Sequence, residues 1–322
     1  MSFKDIKGQD RPIQILKGYL KSQALRGAYL FIGQEGVGKH LVAVNFAKAI
    51  NCLEAKVDAC DRCPSCLKID KNQHPDVHLI GLLDSDNIKI EAIRELKRSI
   101  NFKAYEARKK VFIINDAHNL SEEAQGAILK ILEEPPGDSL IILISAKPAL
   151  LFKTTISRCK IIKFCSLKRS ELKEVFTKDY HLQDNPAHFL AYFAEGRIGK
   201  ALRLKDTGIL EEKNRIIDEF AIQSEPSLGG NLSRQDRDNV RSWLNILAAW
   251  FRDIYLIKAG MNSSSELINL DRKEELLESG GRYTLFELDA ILKSISDSLL
   301  YLEQNVNIKL LLSNLRAELH RK

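Results

Sequence analysis

Tyr29-Leu30-Phe31-Ile32-Gly33-Gln34-Glu35-Gly36-Val37-Gly38-Lys39-His40 is the stretch that decides the fold. Its apolar run meets a glycine-rich turn, and a helical pattern follows through Leu41, Val44, Phe46, Ala47 and Ile50. That change of period reads as strand, loop, helix. Further short apolar runs, Val77 to Ile80, Val111 to Ile114 and Leu140 to Ile144, suit strands buried on both faces, with helical patterns between them. A parallel α/β sheet is therefore expected. One intervening helix carries Ile93, Leu96 and Ile100. Another follows Ser121, an N-cap with Glu122 and Glu123 in its first turn, and Pro135 and Pro136 stop it.

After Phe164 the pattern becomes helical, from Leu172, Val175 and Phe176 through Pro186 to Leu204, with a break at Gly196. Pro226, Gly229 and Gly230 mark a loop over Ser224 to Leu232. Beyond it, Trp243, Ile246, Leu247, Trp250, Ile254 and Ile257 recur at helical spacing, as do Leu288, Ile291, Leu292, Ile295 and Leu299. A packed helical bundle and a peptide-binding groove are both compatible with such stripes. The 322 residues, 44% of them hydrophobic, are enough for roughly two or three domains. No uncharged apolar stretch approaches the roughly eighteen residues of a membrane span. Lys4, Asp5 and Lys7 break up the N-terminus, so no secretory signal is read and a cytoplasmic location without membrane contact is expected. A net charge of +6 permits contact with nucleic acid but is well below that of a dedicated basic domain.

Gly33 to Lys39 fits GxxxxGK, with Gly33, Gly36, Gly38 and Lys39 in place and His40 where a complete phosphate loop has Ser or Thr. Backbone N–H groups and the following helix N-terminus suit phosphate, and Lys39 would neutralise its outer oxygens. A tight strand-to-helix turn is the plain alternative. Mg²⁺ prefers oxygen ligands, so imidazole at His40 is a poor substitute for a hydroxyl. The strand Val111 to Ile114 ends in Asn115-Asp116, where a hydrolytic site would read Asp-Glu. Asn115 offers an amide in place of a metal-holding carboxylate, and Asp116 is shorter than the Glu that would polarise water. ATP binding is expected to be weak or absent, and hydrolysis compromised.

Cys52, Cys60, Cys63 and Cys66 follow C-x7-C-x2-C-x2-C. Four thiolates close a tetrahedron around Zn²⁺ and leave no position for water, so a structural zinc is expected. Free thiols or a redox CxxC pair are the alternatives. Cys159 and Cys165 read as small buried hydrophobes. Lys97, Arg98, Lys103, Arg108, Lys109 and Lys110 form a basic stretch that suits DNA phosphates or, equally, a solvated surface, with no aromatic platform read between them.

Taken in order, the phosphate loop, the four cysteines, Leu132-Glu133-Glu134-Pro135-Pro136, Ser157-Arg158-Cys159 and Gly196-Arg197-Ile198-Gly199-Lys200-Ala201-Leu202 resemble the bacterial clamp-loader AAA+ family of DNA polymerase III. The resemblance spans nearly the whole chain. It implies a RecA-like domain over 1–165 with a zinc insertion at about 52–66, a helical lid over 166–206 and a helical collar over 207–322. It also implies a hetero-pentameric ring with gamma/tau-type motor subunits and a delta subunit, which opens the sliding clamp and loads it on primer-template DNA.

Within that family the departures at His40, Asn115 and Gly199, where the motors carry a sensor arginine, resemble the non-hydrolysing member. Ser145 lies near the sensor-1 position and keeps a hydroxyl for a polar contact. The family's Ser-Arg-Cys arginine is Arg158, an arginine finger for the neighbour's ATP site; an ordinary solvated arginine is the alternative. Asn305, Asn307 and Leu310 resemble collar sequence and are equally accounted for by helix packing. Two other readings remain: an ATP-hydrolysing motor subunit, and a zinc-containing nucleic-acid-binding protein. Nothing resembles a polymerase palm, so a nucleotidyltransferase label would come only from membership of the DNA-directed DNA polymerase holoenzyme.

Overall fold

The structure is a computed structural model that describes residues 1–22, 25–81, 88–136, 138–222, 237–261, 266–304 and 306–319. The loop expected over 224–232 and Asn305 lie outside the described residues. The chain divides into two compact units, Met1–Leu172 with Glu195–Lys200, and Lys173–Ala194 with Ala201–Lys322. The stretch 166–206, expected to be one lid, is thus shared between them.

The first unit is built on a five-stranded parallel sheet. Its strands are β1 (Ala28–Ile32), β2 (Val77–Ile80), β3 (Lys110–Ile114), β4 (Ser139–Ser145) and β5 (Cys159–Lys163), in the order β2-β3-β4-β1-β5. β1, β3 and β4 are buried along almost all of their length, as continuous apolar runs in a covered parallel sheet must be. One face packs against α1 (Asp10–Lys21) and α2 (Lys39–Asn51), around Leu16, Phe31, Val42 and Phe46. α3 (Pro64–Asp70) follows in the cysteine-rich insertion. The other face packs against α4 (Ile90–Ile100) and α5 (Glu122–Glu133), around Ile93, Leu96, Ile128 and Leu132. Ser121 caps α5 by accepting the Ala124 N–H, and the helix ends just ahead of the two prolines.

β5 escaped the sequence reading. It is an edge strand with only Ile162 buried, so its apolar signal is a short alternation preceded by the brief α6 (Lys153–Ser157). The same position corrects two cysteines. Cys159 is only half-buried on that edge and Cys165 is exposed beyond it, so neither is a core residue of the kind expected.

In the second unit, α7 (Arg169–Asp179), whose first residues belong to the sheet unit, is followed by α8 (Asp184–Phe193). α9 (Ile198–Asp206) likewise begins in the first unit. α10 (Ile209–Ile217), α11 (Arg237–Lys258), α12 (Lys273–Gly280), α13 (Leu285–Glu303) and α14 (Ile308–Leu319) complete it. α11 is its axis, burying Leu244, Leu247, Trp250, Phe251 and Ile254 against its neighbours. Buried Asp253 on α11 fixes the chain at Ile268 and Asn269 by accepting both backbone N–H groups, at 2.9 and 2.8 Å. Between α13 and α14 lies a groove of about 830 Å³ bordered by Phe286, Ile291, Tyr301, Leu310 and Leu315. Phe286 is 83% exposed on its border. No helix among the described residues is long and apolar enough to cross a membrane.

A second buried carboxylate, Asp76 ahead of β2, shapes the loop between α4 and β3. It accepts the N–H groups of Tyr105, Glu106 and Ala107 at 2.8, 2.8 and 2.9 Å. Burial opposes its charge, but those donors outweigh burial and hold the carboxyl below its usual range. Asp76→Asn should destabilise the chain by about 3 kcal/mol, the worth of hydrogen bonds to a charged group. Because the folded pKa is depressed, this stability is present above the ordinary value of 3.8 and lost as pH falls through the lower folded value. Urea midpoints of wild type and variant should therefore converge in acid.

Candidate functional site

The phosphate loop forms where β1 ends. Phe164 N–H donates to Ile32 O at 2.8 Å and Gly33 N–H to Ser145 O at 3.3 Å, so both neighbouring strands fix its first residue. Gly36 and Gly38 adopt φ of +80° and +100°, which a side chain resists. Lys39 then starts α2, and its buried ammonium donates to Gly33 O at 2.6 Å and Gln34 O at 2.7 Å. Burial lowers the Lys39 pKa, with Asp116 and Glu35 acting in the opposite direction.

His40, Asn115 and Asp116 meet Lys39 at the carboxyl ends of β1 and β3. Burial lowers the His40 pKa against the pull of Asp116, so the imidazole is neutral near pH 7, and its Nδ1 has no hydrogen-bond partner among the described residues. Asn115 donates its amide to Asp116 Oδ2 at 2.8 Å. Asp116 sits in the left-handed region, φ 46°, at the turn after β3. At the positions that would hold Mg²⁺ in a complete site, His40 and Asn115 offer no anionic oxygen, and the neighbouring Asp116 has one of its oxygens already engaged. Ser145 Oγ, at the end of β4, accepts the Lys147 N–H at 3.2 Å.

A close approach gives Gly199 its physical meaning. Gly199 N–H donates to Gly36 O at 2.8 Å. A Cβ at Gly199 would meet Gly36 O at 3.0 Å, and one at Gly36 would meet Lys200 N at 2.9 Å. The first turn of α9 thus lies directly on the phosphate loop, with no room for a side chain between them. The sequence marked Gly199 as a departure but gave no sign of this contact.

Arg158 ends α6 and leads into β5. Its guanidinium bonds to Glu133 at the end of α5, with Nε 2.5 Å from Oε1, and to Thr154 O at 3.0 Å through Nη1. The side chain remains partly exposed. Glu133 belongs to the Leu132 to Pro136 motif, so two separately noted motifs form one ion pair.

In the insertion, the sulfurs of Cys52, Cys60, Cys63 and Cys66 lie within 4.8 Å of one another. Zn–S bonds of about 2.3 Å in a tetrahedron place sulfurs about 3.8 Å apart, so the cluster fits a zinc ion. Backbone N–H groups of Ala55, Cys63 and Cys66 point at the sulfurs of Cys52, Cys60 and Cys63, at 3.2, 3.3 and 3.5 Å. At Cys52 burial raises the thiol pKa, but backbone donors, Ala55 N–H first among them, outweigh it and lower the pKa. Cys63 is also the N-cap of α3, whose first residue is Pro64.

The basic stretch does not act as one surface. Lys110 is buried and donates to Ser99 O, and Lys109 pairs with Asp138 at 3.0 Å. Aromatic side chains are interleaved after all: Phe102 and Tyr105 are 71% and 86% exposed in the loop that Asp76 holds. Their place between Lys97 and Arg108 was visible in the sequence; their exposure depends on the buried carboxylate and was not.

Comparison with known proteins agrees with the geometry. The family model described as DNA polymerase III, delta subunit, matches residues 8–168. DNA polymerase III subunit delta' of Bacillus subtilis is 26% identical over 95% of this chain and 94% of its own length. DNA polymerase III subunit tau/gamma of Haemophilus influenzae is 34% identical over 65% of this chain, which spans only 31% of that relative. Among solved structures, a DNA polymerase III gamma subunit-related protein of Thermotoga maritima aligns with a TM-score of 0.49 at 18% identity, covering 96% of this chain and 98% of its own. Because the family match takes in the phosphate loop, the cysteine cluster and all five strands, and the delta' relative aligns across almost its full length, the chain belongs to the DNA polymerase III delta subunit family.

Proposed function

We propose that the chain is the non-hydrolysing, delta-prime-type subunit of a cytoplasmic DNA polymerase III clamp loader and lends Arg158 to a neighbouring ATPase. The observation that carries this reading is the composition of the pocket: a phosphate loop without its hydroxyl, and Asn115 bonded to Asp116. Nucleotide binding there is weak or absent. The motor reading is disfavoured because neutral His40 and a half-engaged Asp116 supply too few oxygens for Mg²⁺.

In this reading 1–165 is the RecA-like domain, 166–206 the lid and 207–322 the collar. The groove between α13 and α14, with its exposed Phe286 and Leu310, offers the collar an apolar surface for a neighbouring subunit. Partners are gamma/tau-type motor subunits and a delta subunit in a hetero-pentameric ring, and through the ring the sliding clamp and primer-template DNA. Arg158 is partly exposed and oriented by Glu133, so the guanidinium has a fixed direction before any neighbour arrives. Across an interface it would stabilise charge on the transferring phosphoryl group, a role worth about three to five orders of magnitude in GTPase systems. Zinc holds the insertion at Cys52, Cys60, Cys63 and Cys66 as a closed structural site.

Arg158→Ala should leave ring assembly intact and lower DNA-stimulated ATP turnover by the reconstituted loader at least about a hundredfold, short of the GTPase maximum. Undiminished turnover would reject the finger role. The isolated chain should show no Mg²⁺-dependent hydrolysis, and repeated turnovers by purified monomer would restore the motor reading. Tag-free protein prepared under reducing conditions should contain one zinc per chain by elemental analysis, and Cys63→Ser should lose it together with a large part of its thermal stability.

A further inference from the structure

A cavity of about 680 Å³ opens at the sheet edge opposite the phosphate loop, beside the residues that lead into β1, β3 and β4. These strands are adjacent in the sheet, so the loops entering them converge. Leu20, Leu25, Ala49 and Ile50 form an apolar, buried floor. Lys21, Arg26, Lys56 and Arg108 form the rim, all exposed, and none makes an ion pair among the described residues. The rim's one acid, Asp138, is taken by Lys109.

Like charges brought together around a concave, low-dielectric floor repel one another and focus a positive potential into it. The arrangement is anchored. Asn51, at the end of α2, donates to Lys109 O and accepts the Lys109 N–H, both at 3.0 Å, which fixes the backbone next to Arg108. α1 and α2 both end here, and cations beside helix C-terminal carbonyls are favourable for that reason alone. That accounts for Lys21 in the last turn of α1; Arg26, Lys56 and Arg108 lie in loops.

We propose that this cavity binds the phosphates of a nucleotide, free or at the end of a strand, with the base resting on the apolar floor. The volume is in the range of small-molecule pockets, about 300 to 1,000 Å³. Several unpaired cations suit a multiply charged phosphate ligand better than a single carboxylate, and the floor suits a planar base. The site shares no residue with the phosphate loop, so the two are separable by mutation.

The test uses the full chain and two probes: ATP without added metal, and a fluorescent 5′-phosphorylated oligo-dT read by anisotropy beside its unphosphorylated twin. Arg26→Glu with Arg108→Glu should weaken binding about tenfold or more. For the oligomer, the log–log salt slope should fall by about 1.4, at about 0.7 for each phosphate no longer neutralised. Arg26→Lys with Arg108→Lys should retain binding within a few-fold, with thermal midpoints of both variants confirming the fold. Saturation by ATP identifies a free nucleotide; saturation by the phosphorylated oligomer alone identifies a strand end. The proposal is overturned if neither probe saturates by about 1 mM, or if binding vanishes with Lys39→Ala and ignores the arginines.

Discussion

The hydrogen bond from Gly199 to the Gly36 carbonyl, 2.8 Å long, is the constraint on which the rest of the site depends. It joins the turn after β1 to the first turn of α9 through backbone alone, and the paired glycines are what make that possible. A neighbouring contact has the same character: Leu167 N–H donates to Gly196 O at 2.9 Å, and a Cβ at Gly196 would lie 1.9 Å from Leu167 O. Glu195 to Lys200 therefore belongs to the sheet unit, although α8 before it and the rest of α9 after it do not. A segment this tightly seated fixes the phosphate loop whether or not a nucleotide is there.

That gives physical content to the losses at the pocket. The Asn115 amide donates to Asp116, so a donor occupies an oxygen that a cation would otherwise use. Neutral His40 adds no anionic oxygen. Glycine turns and Lys39 persist because they also close the strand-to-helix junction, with Lys39 satisfying the Gly33 and Gln34 carbonyls of its own loop. Persistence of the GxxxxGK pattern is thus a statement about a turn as much as about a ligand.

The sequence was most legible where one period dominates. The buried strands, the Ser121 cap and the α11 stripe follow from residue patterns alone, and the cysteine spacing correctly brought four sulfurs together. It failed where position in the sheet, not residue type, sets exposure. β5 lies on an edge, so Ile161 faces out and its strand signal is weak, and Cys165 beyond it is exposed for the same reason. The pairing of Arg158 with Glu133 joins residues 25 apart and has no local signature. Phe102 and Tyr105 would be read as core by composition; only the distant Asp76 shows why their loop is held open.

What a metal at the insertion would contribute follows from what else holds it. Lys48 on α2 is fully buried, and its ammonium contacts Asp61, Asp70 at 2.8 Å and the Met1 carbonyl at 2.8 Å. Burial lowers its pKa, but the two carboxylates outweigh that and keep it charged. One ammonium thus ties the N-terminus, the loop between Cys60 and Cys63, and the end of α3 to the sheet unit. A desolvated charge is stabilising only while every partner is in place, and losing one costs several kcal/mol, about 3 to 5. The apolar cluster beneath the insertion is little more than its own cysteines with Ala55 and Ala59. So few apolar atoms add little to holding Asp61 and Asp70 near Lys48, whereas four metal–sulfur bonds would hold them firmly. With a metal in place, the cluster and the buried lysine would be one device: the cluster would fix the carboxylates, and the carboxylates make it possible to bury the charge.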